Sequence, residues 1–188
     1  MPDNIEVMIS EEQVNARICE LGRQITEEYK GKNLHLVCVL RGAVFFMCEL
    51  AKRIELPVTL DFMSVSSYGS GTVSSGIVRI IKDLEEPLTD KDVIIVEDII
   101  DSGRTLSFLY ELFNTRGAAS VRTCTLLDKP SRRDPEISLE VDYRGFEVED
   151  KFVVGWGMDY DQRYRNLPFI GVIKGSESGN QTDDGFGD

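Results

Sequence analysis

Residues 91–106, KDVIIVEDIIDSGRTL, contain four features in an order that indicates the fold. The apolar run at 93–96 predicts a strand buried on both faces, as in a parallel sheet that helices cover on two sides. Two acids, Glu97 and Asp98, follow this run. The Asp-Ser-Gly turn at 101–103 then opens a helix whose apolar residues recur at helical spacing. The stretch therefore predicts a strand, an acidic rim and a helix N-terminus in an α/β protein.

The turn at the start of this helix is suited to bind a phosphate. The first N–H groups of a helix have no intrahelical partner, and the helix dipole favours an anion there. Gly103 lets a ligand approach the backbone, and the hydroxyls of Ser102 and Thr105 add donors. Glu97 and Asp98 would repel a phosphate unless they hold hydroxyl groups or a metal, which a sugar phosphate provides. The simpler alternative is that the turn only caps the helix and the two acids are solvated.

The rest of the chain predicts further strands and helices in alternation. Ser10 and Gln13 form a capping box for a first helix, and a second helix follows the turn at 41–43 and runs through Ile54. Strands are predicted at 34–40, 58–66, 77–84, 121–127, 151–155 and 169–173. This alternation predicts an α/β fold with a largely parallel central sheet in a single domain, residues 1–174. Residues 175–188 carry four acids and no base, which predicts a disordered tail.

The composition excludes several classes of protein. The chain has 188 residues, 41% of them hydrophobic, which fits one globular domain. Its 33 acids and 21 bases give a net charge of −12, which argues against a nucleic-acid partner and against an anionic membrane surface. No apolar stretch approaches membrane-spanning length. The four cysteines stand singly, without metal-ligand spacing, so we expect buried free thiols in a cytoplasmic protein.

Residues 66–76, SSYGSGTVSSG, are rich in glycine and hydroxyl side chains and too polar to form a rigid element. Such a segment can be a surface hairpin without function. It can also be a lid that closes over a reaction from which water must be excluded. The sequence therefore predicts a flexible loop here, with a lid as its candidate role.

The stretch at 91–106 resembles the phosphoribosyl-pyrophosphate (PRPP) motif of the type I phosphoribosyltransferases. Over residues 5–174 the chain also resembles the hypoxanthine-guanine phosphoribosyltransferases, whose further signatures it matches in order at 40–43, 67–68, 127–129 and 151–168. The resemblance implies the type I phosphoribosyltransferase fold, in which helices flank the central sheet and a small hood and a flexible loop adjoin it. It also implies purine salvage, in which phosphoribose passes from PRPP to hypoxanthine, guanine or both, giving IMP or GMP and pyrophosphate.

The same resemblance implies roles for individual residues. The 5′-phosphate of PRPP would be bound by Asp101, Ser102, Gly103, Arg104 and Thr105, the ribose by Glu97 and Asp98, and the pyrophosphate by Arg41, Gly42 and Arg165. The purine would be bound by Lys129 at its 6-oxo group, by stacking on Phe152, by backbone groups of Val153 and beside Asp159. Mg²⁺ is the implied cofactor, with Asp159, Glu97 and Asp98 as candidate ligands. Asp101 would be the catalytic acid and base, and Ser67 and Tyr68 would belong to the flexible loop.

Three more expectations follow from the resemblance. The Leu40-Arg41 peptide is expected to adopt a cis form, which turns N–H groups near Gly42 toward the pyrophosphate. Trp156 is expected to pack near the base. The family assembles as dimers or tetramers, so a homodimer or a homotetramer is expected.

Three alternatives share part of this pattern. A regulatory protein can keep the PRPP site as a sensor while it binds RNA or DNA, but the acidic charge and the pair Lys129 and Phe152 argue against that role. The same pair argues against a phosphoribosyltransferase that acts on a pyrimidine, orotate or adenine. A flavodoxin-like nucleotide-binding module would not need the signatures that follow residue 106.

Overall fold

The computed structural model describes residues 4–68 and 77–174. Within these residues the strands are β1 (Ile5–Ile9), β2 (Leu34–Leu40), β3 (Thr59–Tyr68), β4 (Ile77–Lys82), β5 (Asp92–Ile100), β6 (Ser120–Asp128), β7 (Tyr143–Glu147), β8 (Val153–Val154) and β9 (Ile170–Ile173). The helices are α1 (Glu11–Glu28), α2 (Val44–Ala51) and α3 (Arg104–Thr115), and a short 3₁₀ turn covers Pro130–Arg132.

The central sheet has six strands in the order β4-β3-β2-β5-β6-β7. Neighbouring strands are parallel from β3 to β7, and β4 pairs antiparallel with β3. The predicted α/β fold with a largely parallel sheet is therefore confirmed. The chain leaves β2 toward β3 on one side and leaves β5 toward β6 on the other, so strand order reverses between β2 and β5. Ligands of such sheets bind at the carboxyl ends of the strands at this reversal.

Helices cover both faces of the central strands. Leu36 and Cys38 of β2 belong to the core cluster that contains α1 and α2, whereas Val37 and Val39 belong to the cluster that contains α3. Because successive side chains of a strand point to opposite faces, a strand between two helix layers is apolar throughout. The run at 93–96 in β5 divides between the same two clusters and is fully buried, which confirms the prediction for this stretch.

A second sheet of three strands, in the order β1-β9-β8, is antiparallel throughout. β8 and β9 enclose residues 155–169, which contain most of the last sequence signature. A Cβ at Gly155, where φ is +97°, would lie 1.9 Å from the carbonyl oxygen of Phe169, so this close approach requires glycine. This small sheet is the hood that the resemblance implied.

Several element boundaries differ from the predicted ones. β5 continues to Ile100, so Glu97 and Asp98 lie inside the strand and not beyond its end. The second helix stops at Ala51 before it reaches Ile54, and the strand predicted at 151–155 shortens to β8. β1 and β7 were not predicted, because each is a five-residue strand at the edge of its sheet. Pairing with a neighbouring strand, more than local pattern, decides such short edge segments.

Other sequence expectations have mixed outcomes. The capping box of α1 is confirmed: the Gln13 N–H donates to Ser10 Oγ, and the Ser10 N–H donates to Gln13 Oε1. The four cysteines are free, but the expectation of burial is wrong for two of them. Cys38 and Cys124 are buried, Cys19 is half-buried and Cys48 is exposed. None of the helices in the described part of the chain combines the length and apolarity needed to cross a membrane.

Part of the predicted flexible loop at 66–76 lies outside the described residues. The structure describes its two ends, where Ser67 pairs with Val78 and Tyr68 pairs with Ile77 at the tips of β3 and β4. Residues 69–76 and the predicted tail at 175–188 are outside the described residues, so the lid and the disordered tail stay predictions.

Candidate active site

The turn after β2 lies directly against the acidic end of β5. A Cβ at Gly42 would lie 1.6 Å from Asp98 Oδ2, so any side chain at this position would force Asp98 to shift. The same turn also contacts the hood, because a Cβ at Gly157 would lie 1.9 Å from the carbonyl oxygen of Gly42. The Leu40-Arg41 peptide is cis, as expected. Three predicted parts of the site therefore meet at the reversal between β2 and β5.

Glu97 and Asp98, in the last part of β5, have raised pKa values. Burial raises the pKa of Glu97 well above its usual range, and the neighbouring Asp98 raises it further. Glu97 Oε2 is shielded from solvent and has no hydrogen-bond partner among the described residues. Burial also raises the pKa of Asp98 to about 6, opposed by the backbone N–H groups of Ile99 and Asp98 and by Arg165. Such carboxyl groups suit a ligand that offers hydroxyl groups.

The phosphate loop predicted at 101–105 forms the N-terminus of α3. Gly103 is the N-cap, with a left-handed φ of 83°, and the Ser107 N–H donates to its carbonyl oxygen at 2.9 Å. Neither Asp101 nor another side chain caps this helix, apart from a long contact of 3.4 Å between the Arg104 N–H and Ser102 Oγ. The simpler alternative, in which Asp101 or Ser102 only caps the helix, is therefore wrong for Asp101, and for Ser102 it has only this long contact in its favour.

The side chain of Arg104 pairs with Asp134, in the segment that follows β6. Its Nε donates to Asp134 Oδ2 at 2.7 Å, and its Nη2 lies 2.6 Å from the same oxygen. The side chain is thus engaged by a carboxylate. The backbone N–H of Arg104 is then the group of this residue best placed to face a phosphate at the helix N-terminus.

Lys129 links the end of β6 to the phosphate loop. Its side chain is 9% exposed, and its Nζ lies 3.7 Å from Asp101 Oδ1 and 3.7 Å from Asp150 Oδ1. The backbone of the two strands joins them as well, since the Lys129 N–H donates to the carbonyl oxygen of Ile100 at 3.0 Å. The structure therefore brings the proposed purine-recognition lysine beside the proposed acid and base, and Asp150 is a neighbour that sequence reasoning missed.

Phe152 is well placed to stack on a planar ligand. The residue is 44% exposed, and its ring meets Tyr160 edge to face, with the ring centroids 5.5 Å apart. Val153 next to it is buried in β8, so its backbone is fixed by the hood sheet. Trp156 is buried, and its Nε1 donates to the carbonyl oxygen of Pro168. Trp156 therefore packs in the hood, and its place near a base stays a prediction.

Two arginines proposed to face pyrophosphate meet at one amide. Arg41 Nη1 and Arg165 Nη2 each donate to Gln162 Oε1 at 3.2 Å. Arg165 Nη2 also lies 2.8 Å from Asp159 Oδ1, and the Gln162 N–H donates to Asp159 Oδ2 at 2.8 Å. Sequence reasoning missed Gln162. Its position inside the last signature, between Asp159 and Arg165, was the available signal.

The carboxylates of the site fit a magnesium ion only together with substrate oxygens. No group of three or more Asp, Glu, His or Cys side chains within residues 4–68 and 77–174 is arranged to hold a metal by itself. Asp98 and Asp159 nevertheless lie close enough for the charge of Asp159 to raise the pKa of Asp98. Mg²⁺ is commonly bound through one or two carboxylates together with substrate phosphates and water. The donor set therefore fits a Mg²⁺ ion that a phosphorylated substrate helps to hold.

Known proteins share this architecture over most of the chain. The family model "Phosphoribosyl transferase domain" matches residues 10–163. Hypoxanthine phosphoribosyltransferase of Salmonella typhimurium is 52% identical over 175 residues, which cover 92% of this chain and 97% of that protein. Bifunctional protein TilS/HprT of Listeria innocua is 56% identical over 169 residues, which cover 90% of this chain and 26% of that longer protein.

A solved structure agrees with these sequence relatives. The crystal structure of a hypoxanthine phosphoribosyltransferase from Staphylococcus aureus superposes with a TM-score of 0.88 at 46% identity, covering 95% of this chain and 96% of that one. The overall fold of this chain is therefore shared with a solved protein over nearly its whole length. The chain belongs to the phosphoribosyl transferase domain family, among the hypoxanthine phosphoribosyltransferases.

Proposed function

We propose that this protein transfers phosphoribose from PRPP to hypoxanthine in purine salvage, giving IMP and pyrophosphate. The observation that carries the proposal is the distance of 3.7 Å between Lys129 Nζ and Asp101 Oδ1. It places the residue proposed to recognise a 6-oxopurine beside the loop proposed to hold the 5′-phosphate. A base held by Lys129 and a ribose phosphate held by the loop would then lie next to each other.

The phosphate loop and the acids of β5 would bind PRPP. The N–H groups of residues 102–105 and the hydroxyls of Ser102 and Thr105 would hold the 5′-phosphate at the N-terminus of α3. Glu97 and Asp98 would hold the ribose hydroxyls. Each ribose hydroxyl can donate its hydrogen to a carboxyl oxygen of these residues, and Glu97 Oε2 has no other hydrogen-bond partner among the described residues.

The residues around pyrophosphate would stabilise the leaving group. Breaking its bond to ribose builds negative charge on pyrophosphate and positive charge on the ribose. Arg41, Arg165 and the backbone N–H groups near Gly42 would offset the negative charge. Mg²⁺, held by substrate phosphates with Asp159 and Asp98, would supply further positive charge at the departing oxygens. Asp101 would accept the proton that the purine ring nitrogen loses when it bonds to ribose.

The same site accounts for a second substrate. Guanine carries the same 6-oxo group as hypoxanthine, so Lys129 would recognise both bases, and GMP would be the second product. We also propose a homodimer or homotetramer, as the family resemblance implies. The four free cysteines support a cytoplasmic location, where thiols stay reduced.

An assay of pyrophosphate release tests the proposal. The protein is incubated with PRPP and Mg²⁺, and with hypoxanthine, guanine, xanthine or adenine in turn; a parallel set contains EDTA. We expect release with hypoxanthine and guanine, little release with adenine and none after chelation. Binding of PRPP without turnover on any base would reject the enzyme and favour a PRPP sensor.

A further inference from the structure

Residues 133 and 134, which follow β6, donate hydrogen bonds to the phosphate loop at residues 101–105. The Asp134 N–H donates to the carbonyl oxygen of Ser102 at 3.1 Å, and Arg133 Nη1 donates to the carbonyl oxygen of Asp101 at 3.3 Å. These two carbonyl groups belong to consecutive peptides of the loop. Its backbone is therefore supported by residues that the sequence analysis did not single out.

Arg133 runs along the loop as well as donating to it. A Cβ at Gly103 would lie 3.1 Å from Arg133 Nη1 and 3.2 Å from Arg133 Cδ. The side chain of Arg133 is 18% exposed, so it is largely enclosed between the loop and the chain after β6. Glycine at position 103 leaves room for this side chain in addition to adopting the left-handed φ of the N-cap.

A buried carboxylate fixes the direction of Arg133. Asp128 at the end of β6 is fully buried, with Arg133 Nη2 at 2.5 Å from its Oδ1 and Arg144 Nε at 2.8 Å from its Oδ2. Arg133 also borders an open pocket together with Pro130 and Leu139. The ion pair with Asp128 is then what aims its second nitrogen at the loop.

We propose that Arg133 is a positioning residue that directs backbone N–H groups of the loop at the 5′-phosphate of PRPP. In a trans peptide the C=O and N–H groups point in opposite directions. The hydrogen bond from Arg133 to the carbonyl oxygen of Asp101 therefore also fixes the direction of the Ser102 N–H, which belongs to the same peptide. The Asp134 N–H, on the next carbonyl oxygen, sets the direction of the Gly103 N–H in the same way. The inference rests on the proposed function, which assigns the 5′-phosphate to this loop.

The expected consequence is a selective loss of phosphate affinity. Donors that are already oriented need no rearrangement when the anion arrives, whereas a freed peptide must be ordered first. Removal of Arg133 should therefore weaken the binding of PRPP and IMP, which both carry a 5′-phosphate. Pyrophosphate has no 5′-phosphate and would bind at Arg41 and Arg165, so its affinity should not change.

Arg144 provides a matched control for Arg133. It pairs with the same buried carboxylate, but its other side-chain ion pair is with Glu147 and not with the loop. Arg133→Ala and Arg144→Ala each remove one of the two ion pairs of Asp128. Both should lower the unfolding temperature. Arg133→Lys keeps a positive charge near Asp128, but its single nitrogen cannot contact both Asp128 and the carbonyl oxygen of Asp101 as the two guanidinium nitrogens of arginine do. It serves as the second variant if Arg133→Ala does not fold.

The experiment measures KM for PRPP, kcat, and the Kd values of IMP and of pyrophosphate in the presence of Mg²⁺. We expect Arg133→Ala to raise KM for PRPP and Kd for IMP on the order of 10- to 100-fold, with a smaller rise in Arg133→Lys. We expect pyrophosphate affinity to stay within about twofold, and all constants of Arg144→Ala to stay near those of the wild type.

Two outcomes overturn the inference and are distinguishable from failure of the proposed function. If Arg133→Ala and Arg144→Ala show the same kinetic constants, Arg133 acts only by stabilising the fold. If pyrophosphate affinity falls as much as PRPP affinity, the effect is not specific to the 5′-phosphate. If the wild-type protein itself binds neither PRPP nor IMP, the proposed function fails and the inference falls with it.

Discussion

At the scale of single residues, the structure distinguishes two possible roles of Asp101, which are helix capping and proton transfer. The N-cap of α3 is Gly103, so the carboxylate of Asp101 is not used to begin the helix. It is half exposed and lies 3.7 Å from Lys129 Nζ, beside the position proposed for the purine. Because Asp101 does not cap the helix, its proposed role as the acid and base can be tested separately from helix capping.

Replacing Asp101 by asparagine should therefore lower turnover without unfolding the protein. We expect kcat to fall by about 10²- to 10⁴-fold, the usual contribution of a general acid or base. KM for PRPP and the unfolding temperature should change little, because the amide is nearly isosteric. Steady-state kinetics and thermal unfolding check both expectations. Matching losses of turnover and PRPP affinity would mean that Asp101 binds substrate and does not transfer a proton.

Lys129 and Phe152 should divide base recognition between them. A 6-amino purine would present donors to the nearly buried ammonium of Lys129, and a site built for a 6-oxo acceptor can reject such an analogue by about 10⁴- to 10⁵-fold. Stacking on Phe152 contributes about 1 to 3 kcal/mol per base and hardly distinguishes purines. Lys129→Ala should narrow the preference for hypoxanthine over adenine, whereas Phe152→Ala should weaken both alike. The assignment is wrong if Phe152→Ala collapses the ratio of kcat/KM values and Lys129→Ala preserves it.

Asp98 should make stability fall as pH rises. Its pKa is about 6 in the folded protein against a usual value of 3.8, so the folded state keeps a proton that the unfolded chain loses between these pH values. The contribution of the protonated form is fully present below about pH 4 and is lost as pH rises through 6. Asp98→Asn should therefore be more stable than the wild type at pH 8 by about 1 to 3 kcal/mol, with no difference near pH 4. Denaturant unfolding of both proteins at the two pH values checks this; a difference independent of pH would contradict it.

At the scale of elements, the sequence predicts those helices and strands whose pattern is complete within their own consecutive residues. β2 was predicted with its observed bounds because its apolar residues are consecutive. α1 was predicted with its capping box because the two capping residues lie three positions apart. β1 and β7 escaped prediction because their strand partners lie far away in the sequence. Arg133 and Gln162 escaped for the same reason: their contacts with the phosphate loop and with Arg41 depend on the tertiary fold.

Gly42 joins the turn after β2 to the end of β5 and should not tolerate a side chain. A methyl group there would overlap Asp98 Oδ2, and overpacking of this kind costs about 1 to 3 kcal/mol. Gly42→Ala should lower the free energy of unfolding and raise KM for PRPP. A double-mutant cycle supplies the control, because the stability loss should shrink in an Asp98→Ala background, where the overlap is gone. Additive losses in the double mutant would show that the contact is not the cause.

At the scale of the whole molecule, an acidic protein binds anions through a few local cations. The chain has a net charge of −12. In the site, Arg165 pairs with Asp159, and Lys129 lies between Asp101 and Asp150. Substrate phosphates and the purine must therefore compete with these carboxylates for their cationic partners. The fold brings together, from β2, β5, β6 and the hood, groups that the sequence lists more than a hundred positions apart.

A crystal structure of the protein with IMP bound would test the proposed site directly. IMP carries both the 5′-phosphate and the 6-oxo group, so one ligand reports on both halves of the proposed site. We expect phosphate oxygens within hydrogen-bond distance of the N–H groups of residues 102–105, the 6-oxo oxygen at Lys129 Nζ, and the base against the ring of Phe152. A phosphate bound away from the N-terminus of α3, or a base that does not reach Lys129, would contradict it.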